Sequence, residues 1–257
     1  LKEGQYSISS NLVIAAATTV IGEGYEKTAI VNTHAGRQGG NNNPLSKTRA
    51  MTISNAGAWI EGVRISGGWP CSSALGEDGG GIYMSAGVVT NCQISGNQTQ
   101  LTNKGCGVRI LGGTLTHCRI LNNTGNNNGS GTIYASGGAT IDNCLVANND
   151  AKGGGGGILI DGTAYVRNCT FVGNKSTSAS ASAGIHVTAG SSGEIRNCAS
   201  AESTNSQFAG EGAPEWSVTG NNAQPTAVKK LFKNCAFGIP TGSDTIGVPN
   251  DTCFAFA

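Results

Sequence analysis

An all-β solenoid, wound in coils of about 26 residues, is the fold class this sequence predicts, and three observations predict it. A cysteine-bearing phrase recurs as VVTNCQISGN, TLTHCRILNN, ATIDNCLVANN, AYVRNCTFVGN and GEIRNCAS, which spaces Cys92, Cys118, Cys144, Cys169 and Cys198 25 to 29 residues apart. A glycine-led phrase stands before each of these cysteines: GGGIYM, GCGVRI, SGTIYA, GGGILI and SAGIHV. Asparagine trails each of the first four, at Asn97, Asn123, Asn149 and Asn174. A period in this range, filled with short β-type runs, describes units that bury an apolar face only by stacking on one another.

Taken in order along the chain, YSISSNLVIAAATTVIGEGYEKTAIVNT reads as two early coils with a Gly-Glu-Gly turn at Gly22 to Gly24. GRQGGNNNPLS, Gly36 to Ser46, reads as a loop. AWIEGVRISGG aligns with the cysteine phrase and puts Val63 where Cys92 stands one coil later. In each glycine-led strand, alternation turns Ile82 and Met84 inward and Tyr83 outward, and the later coils repeat this. In the cysteine phrase the inward residues are Val89, Cys92 and Ile94 and their equivalents. The step from Val89 to Cys92 is three residues, so a bend falls at Asn91, and likewise at His117, Asn143, Asn168 and Asn197. Asparagine tolerates left-handed backbone and bonds neighbouring backbone at turns. The trailing asparagines therefore mark a second corner, where stacked side-chain amides can bond along the axis. Three short strands and three turns make one rung of a parallel β-helix, and rungs stack at about 4.8 Å. The coils are expected over residues 1–206. Residues 207–257, with Phe208, Trp216, Phe232, Phe237, Phe254 and Phe256, are expected to fold as an irregular aromatic cap, since solenoid ends need covering.

Composition excludes several functions. Charged residues are 12% of the chain and the formal net charge is +1, so there is no basic stripe for nucleic acid. No apolar run reaches the ~20 residues of a spanning helix. The nine cysteines include no Cys-x-x-Cys pair, which argues against zinc. Five of them read as small buried hydrophobes in one file. Cys71 and Cys106 fall in turns and are candidates to pair in an exported protein, as are Cys235 and Cys253. The calcium-binding nonapeptide repeat and a strict hexapeptide repeat are both absent.

The GGGI runs, the T-x-x-NC-x-I strands and the trailing Gly-Asn turns resemble right-handed parallel β-helix repeat proteins of bacterial surfaces, including polymorphic outer-membrane proteins and large exported proteins of gut anaerobes. The resemblance covers about Ala58 to Ser200. It implies an exported chain, secreted or at the outer cell surface, with a monomeric β-helix. It leaves activity open, because the wider pectate-lyase-like fold includes lyases, hydrolases, tailspikes and adhesins.

For a lyase the resemblance implies grouped calcium-binding carboxylates and a nearby basic residue. No outward column holds two carboxylates in adjacent rungs, and hard cations want several. Asp142 and Asp161, with Arg167, are the candidates for a mixed site. A serine triad and a phosphate loop lack their motifs. The column that favours binding is the outward one of the glycine-led strands: Tyr83, Arg109, Tyr134, Leu159 and His186. Aromatic faces a rung apart suit sugar rings, and Arg109 suits a hydroxyl or acid group. The expected function is a non-catalytic module binding polysaccharide or a cell-surface glycan through Tyr83, Arg109, Tyr134 and His186, with Asp161 at the edge. No catalytic residue, resident metal or cofactor is expected. The alternative is a calcium-dependent lyase of uronate-containing polysaccharide, and a third reading is a purely structural stalk.

Overall fold

Strict alternation of apolar and polar residues, interrupted by a bend before each cysteine, folds each coil into short strands that turn one face to a common interior. The computed structural model describes residues 1–33, 48–70, 78–100, 103–125, 131–152, 154–177, 182–205, 216–219, 231–238 and 254–256. One coil runs Ile82–Met84, Val88–Thr90, Gln93–Ser95 and Gln98–Thr99, and the next begins at Val108–Ile110. Successive coils stack these strands into four parallel sheets of eight, eight, ten and five strands, called here first to fourth in their order within the coil. The fourth, of two-residue strands, adds to the three strands expected per coil. The loop expected at Gly36 to Ser46 lies outside the described residues.

The pairings keep one register. In the first sheet Ile82, Val108, Ile133, Ile158 and Ile185 are partners in turn. Val89, Leu115, Ile141, Val166, Ile195 and Phe232 follow one another in the second. Ile65, Ile94, Ile120, Val146 and Phe171 do so in the third. All of these side chains are buried in a single apolar cluster. Each rung alone exposes its apolar face above and below, so stacking supplies the burial, at roughly 25 cal/mol per Å² of apolar surface covered.

The bends lie where the sequence puts them. Asn91, His117, Asn143, Asn168, Asn197 and Asn234 are all left-handed, with φ from 48° to 53°. The cysteine that follows each bend points inward: Cys92, Cys118, Cys144, Cys169, Cys198 and Cys235 are buried free thiols. Each thiol donates to a backbone carbonyl of the coil before it, as Cys144 does to Leu115 at 3.6 Å. At the second corner the left-handed residue is one position earlier than expected: Gly96, Asn122, Asn148 and Gly173. That shift frees the trailing asparagines to turn inward. Asn97, Asn123, Asn149 and Asn174 are buried, and the amides of the first three each donate to the side-chain oxygen of the next one up the axis, at 3.0 to 3.1 Å. The second N–H of the amide bonds a strand carbonyl, as Asn123 does with Ile94 at 3.0 Å. A buried amide left unpaired costs about 1–3 kcal/mol, so this ladder holds only while every member is present.

Among the described residues beyond 206 the winding resumes: of the aromatic residues expected in an irregular cap, Trp216, Phe232, Phe237, Phe254 and Phe256 fall in strands, and Phe208 lies outside the described residues. Trp216–Thr219 joins the first sheet, Phe232–Lys233 the second, and Ala236–Gly238 then Phe254–Phe256 the third. Cys235 continues the cysteine file, flanked by buried Phe232 and Phe237 whose rings meet edge to face at 5.9 Å. The phrase FKNCAFG carries the repeat, but Cys235 stands 37 residues after Cys198, and the long interval disguises it. The structure lends no support to the candidate pairs Cys71–Cys106 and Cys235–Cys253. Cys106 and Cys235 are free and buried, while Cys71 and Cys253 lie outside the described residues. Cys106 sits above Thr132, to whose hydroxyl its thiol donates at 3.7 Å, and burial pushes that thiol up to about 12.

Candidate functional site

The outward column of the first sheet is continuous: Thr52, Tyr83, Arg109, Tyr134, Leu159 and His186 are paired partners in successive coils. Four of the five expected site residues meet there. The Arg109 guanidinium lies over the Tyr134 ring at 3.8 Å. The Tyr134 hydroxyl donates to the Asp161 carboxylate, which also accepts from the Thr188 hydroxyl at 2.9 Å. Tyr83 pairs directly with Arg109. His186 stands two rungs beyond Tyr134, with Leu159 between them, and does not join the group.

Sequence reasoning missed three members. Lys104, in the turn before the strand, approaches the Tyr134 hydroxyl at 3.1 Å and its ring at 4.6 Å. Asp78, in the preceding coil, lies 3.6 Å from Arg109 Nε. Arg49 covers Tyr83 at 4.9 Å from the ring centre. All three precede a glycine-led strand or its equivalent, so they occupy turns that alternation along the strands does not address.

The column is not the open aromatic strip expected. Tyr134 is 3% exposed and His186 2%, although both point away from the apolar interior. Cations already occupy the ring faces of Tyr134 and Tyr83, so neither face is bare for a sugar ring. The site is instead a cation and aromatic stack, with Asp161 exposed at its edge. Arg109 Nε and Nη1 are buried and make no hydrogen bond among the described residues, and its side chain is 12% exposed. Burial lowers the Arg109 pKa, while the nearby Tyr134 and Asp78 favour its charge. The Tyr134 hydroxyl holds the Asp161 carboxyl below the usual range, so it is ionised at neutral pH. Burial pushes the Tyr134 phenol up, and the bond to Asp161 adds to this, so it remains a donor. Burial alone lowers His186 to about 4, leaving its imidazole neutral.

Asp142 and Asp161, the two carboxylates of the calcium alternative, are not brought together. Asp142 pairs with Arg167 at one end of the strand Thr163–Arg167, and Asp161 precedes the other end. Five extended residues separate those ends by roughly 13–17 Å. Asp142 accepts instead from Asn143 at 3.0 Å and Asn168 at 2.9 Å. Among the described residues no three His, Cys, Asp or Glu side chains group as metal ligands. Nor is any helix long and apolar enough to cross a membrane.

A family model described as "Right handed beta helix region" matches residues 34–198. Comparison with curated proteins and with solved structures finds no match.

Proposed function

The chain belongs to the right-handed β-helix family, and on that footing we propose that it is a non-catalytic binding module for a polysaccharide or cell-surface glycan, exported to the outside of a bacterial cell. The observation that carries this reading is the Arg109 guanidinium: it is fixed on Tyr134 and ion-paired at Nε with Asp78 at 3.6 Å, and its Nη1 makes no hydrogen bond among the described residues. An unpaired buried donor costs about 1–3 kcal/mol, which a ligand oxygen that reaches it recovers. Lys104 and Asp78 beside it, and exposed Asp161 beyond, offer donors and acceptors for ring hydroxyls. In this reading Tyr134 positions Arg109 and Asp161 and does not stack on the sugar. Tyr83, only partly buried but with Arg49 over its ring, meets the ligand through its edge and hydroxyl and not through a bare face.

Titration of neutral and uronate-containing oligosaccharides against the native protein and a Tyr83→Ala/Lys104→Gln form tests the reading. Binding by the native protein, weakened about tenfold or more in the double variant at an unchanged thermal midpoint, supports it; contacts of this kind are worth roughly 1.4 kcal/mol per tenfold. Equal binding by both forms, or none by either, contradicts it.

A further inference from the structure

The outward face of the second sheet carries a file of three cations. Arg167, Arg196 and Lys233 are paired partners in successive coils, so their backbones stand about 4.8 Å apart along the axis. Among the described residues Glu194 is the acid that bonds them, while Asp142, paired with Arg167 in the coil before, accepts from Asn143 and Asn168 instead. The Glu194 carboxylate accepts from Arg167 Nε at 3.1 Å and Lys233 Nζ at 3.0 Å, and Arg196 Nε lies 3.9 Å away. The bond from Lys233, with the adjacent arginines, holds Glu194 below the usual carboxyl range, so it remains charged. One carboxylate thus orders three cations without neutralising them. Both arginines meet it through Nε, and their Nη groups make no hydrogen bond among the described residues. The three cationic side chains are 37%, 45% and 54% exposed.

Two further features flank the file. Tyr165, one of the few exposed large hydrophobic residues, is 37% exposed and stands two residues before Arg167, whose guanidinium lies 5.5 Å from its ring centre. On the other side the left-handed bend residues form a surface amide ladder. Asn197 donates to Asn168 at 3.1 Å, and Asn168 donates to Asp142. Cations alone would attract any polyanion. A ring face on one side and exposed amides on the other add partners for a pyranose and its hydroxyls.

We propose that this face, formed by Tyr165, Arg167, Arg196, Asn197 and Lys233, binds a linear acidic saccharide lying along the solenoid axis, with its carboxylate or sulfate groups against the cation file. It is a second surface, on a different sheet from the Arg109 site and independent of it. Glu194 is a positioning residue that holds the three cations in line. Binding falls as salt rises, because exposed charges are screened over about 8 Å at physiological ionic strength.

Calorimetric titration of the full chain tests the proposal, using a galacturonate hexamer, a heparin-derived hexasaccharide, a neutral hexasaccharide and inorganic polyphosphate of matched charge. The expected result, read in the Tyr83→Ala/Lys104→Gln background that removes the Arg109 site, is binding of at least one acidic saccharide, no binding of the neutral one, and at least tenfold weaker binding of polyphosphate. Arg196→Gln/Lys233→Gln should weaken saccharide binding at least tenfold and Tyr165→Ala several-fold, both at a native circular dichroism spectrum. Arg196→Lys, which keeps the charge, should retain most of the affinity if the double variant unfolds. Tyr83→Ala/Lys104→Gln should leave binding at this face unchanged, whatever it does at the Arg109 site. Polyphosphate binding as tight as the saccharide would show a charged patch only and overturn the proposal. So would equal binding of the neutral sugar, no binding of either acidic one, or loss that follows Lys104 and not Arg196 and Lys233.

Discussion

His186 shows what stacking does to a single residue. It points away from the apolar interior, yet it is buried and its pKa lies near 4 against an ordinary 6.5. The sign of the consequence follows from linkage. As pH falls from 6.5, the unfolded chain takes up the proton before the folded one, so stability present above 6.5 is lost on the way to 4. The expected loss is on the order of 3 kcal/mol over that window. Urea unfolding between pH 7.5 and 4 checks this, with His186→Leu expected to flatten the dependence. The sequence shows the direction in which this side chain points, because alternation along Ile185–Thr188 fixes it. Its burial is not legible, because covering groups come from elsewhere in the coil. The same limit applies to Tyr134, whose ring faces are taken by Arg109 and by Lys104 in a turn.

At the scale of the strand and its turn, spacing decides which residues a position accepts. Gly81 ends the first glycine run, and a Cβ there would stand 2.7 Å from both the Gly107 carbonyl oxygen and the Ile94 methyl. The carbonyl cannot withdraw, because Gly81 N–H bonds to it at 3.0 Å. Gly96 is different: its φ is +66°, but a side chain there would meet nothing within 4 Å. Asn122 and Asn148 fill the same turn position in the next coils at φ 54° and 55°. Gly81→Ala is therefore expected to cost about 1–3 kcal/mol by overpacking, and Gly96→Asn close to nothing. Urea midpoints of the two variants check the contrast, and equal effects would contradict it. The three-residue step before each cysteine made the bend legible. Which neighbour of the trailing asparagine turns left-handed was not, since Gly-Asn and Asn-Asn both supply a tolerant residue at either place. The cysteine phrase also marks Cys235 as a further rung, but across so long an interval only the pairing of Phe232–Lys233, and of Ala236 and Phe237, with the coil before shows that it stacks in register.

For the whole molecule, register along one axis is the property from which both proposed surfaces follow. The periodic cysteines and inward aliphatic residues made that register legible, because only residues stacked on their counterparts need to match so closely. Function was less legible, since the repeated residues are those that build the coil, and surface chemistry varies from rung to rung. Thr90, Thr116, Asp142, Arg167, Arg196 and Lys233 occupy one outward file of successive coils. Spin labels at Thr90 and, in turn, at Asp142, Arg167, Arg196 and Lys233 sample two, three, four and five rung intervals, and pulsed dipolar spectroscopy reads each distance. The separation should lengthen by about 4.8 Å at each step, from roughly 10 Å to roughly 24 Å before allowing for the label arms. Distances that fail to rise in order, or that rise by unequal jumps, would contradict a single register and remove both surfaces with it.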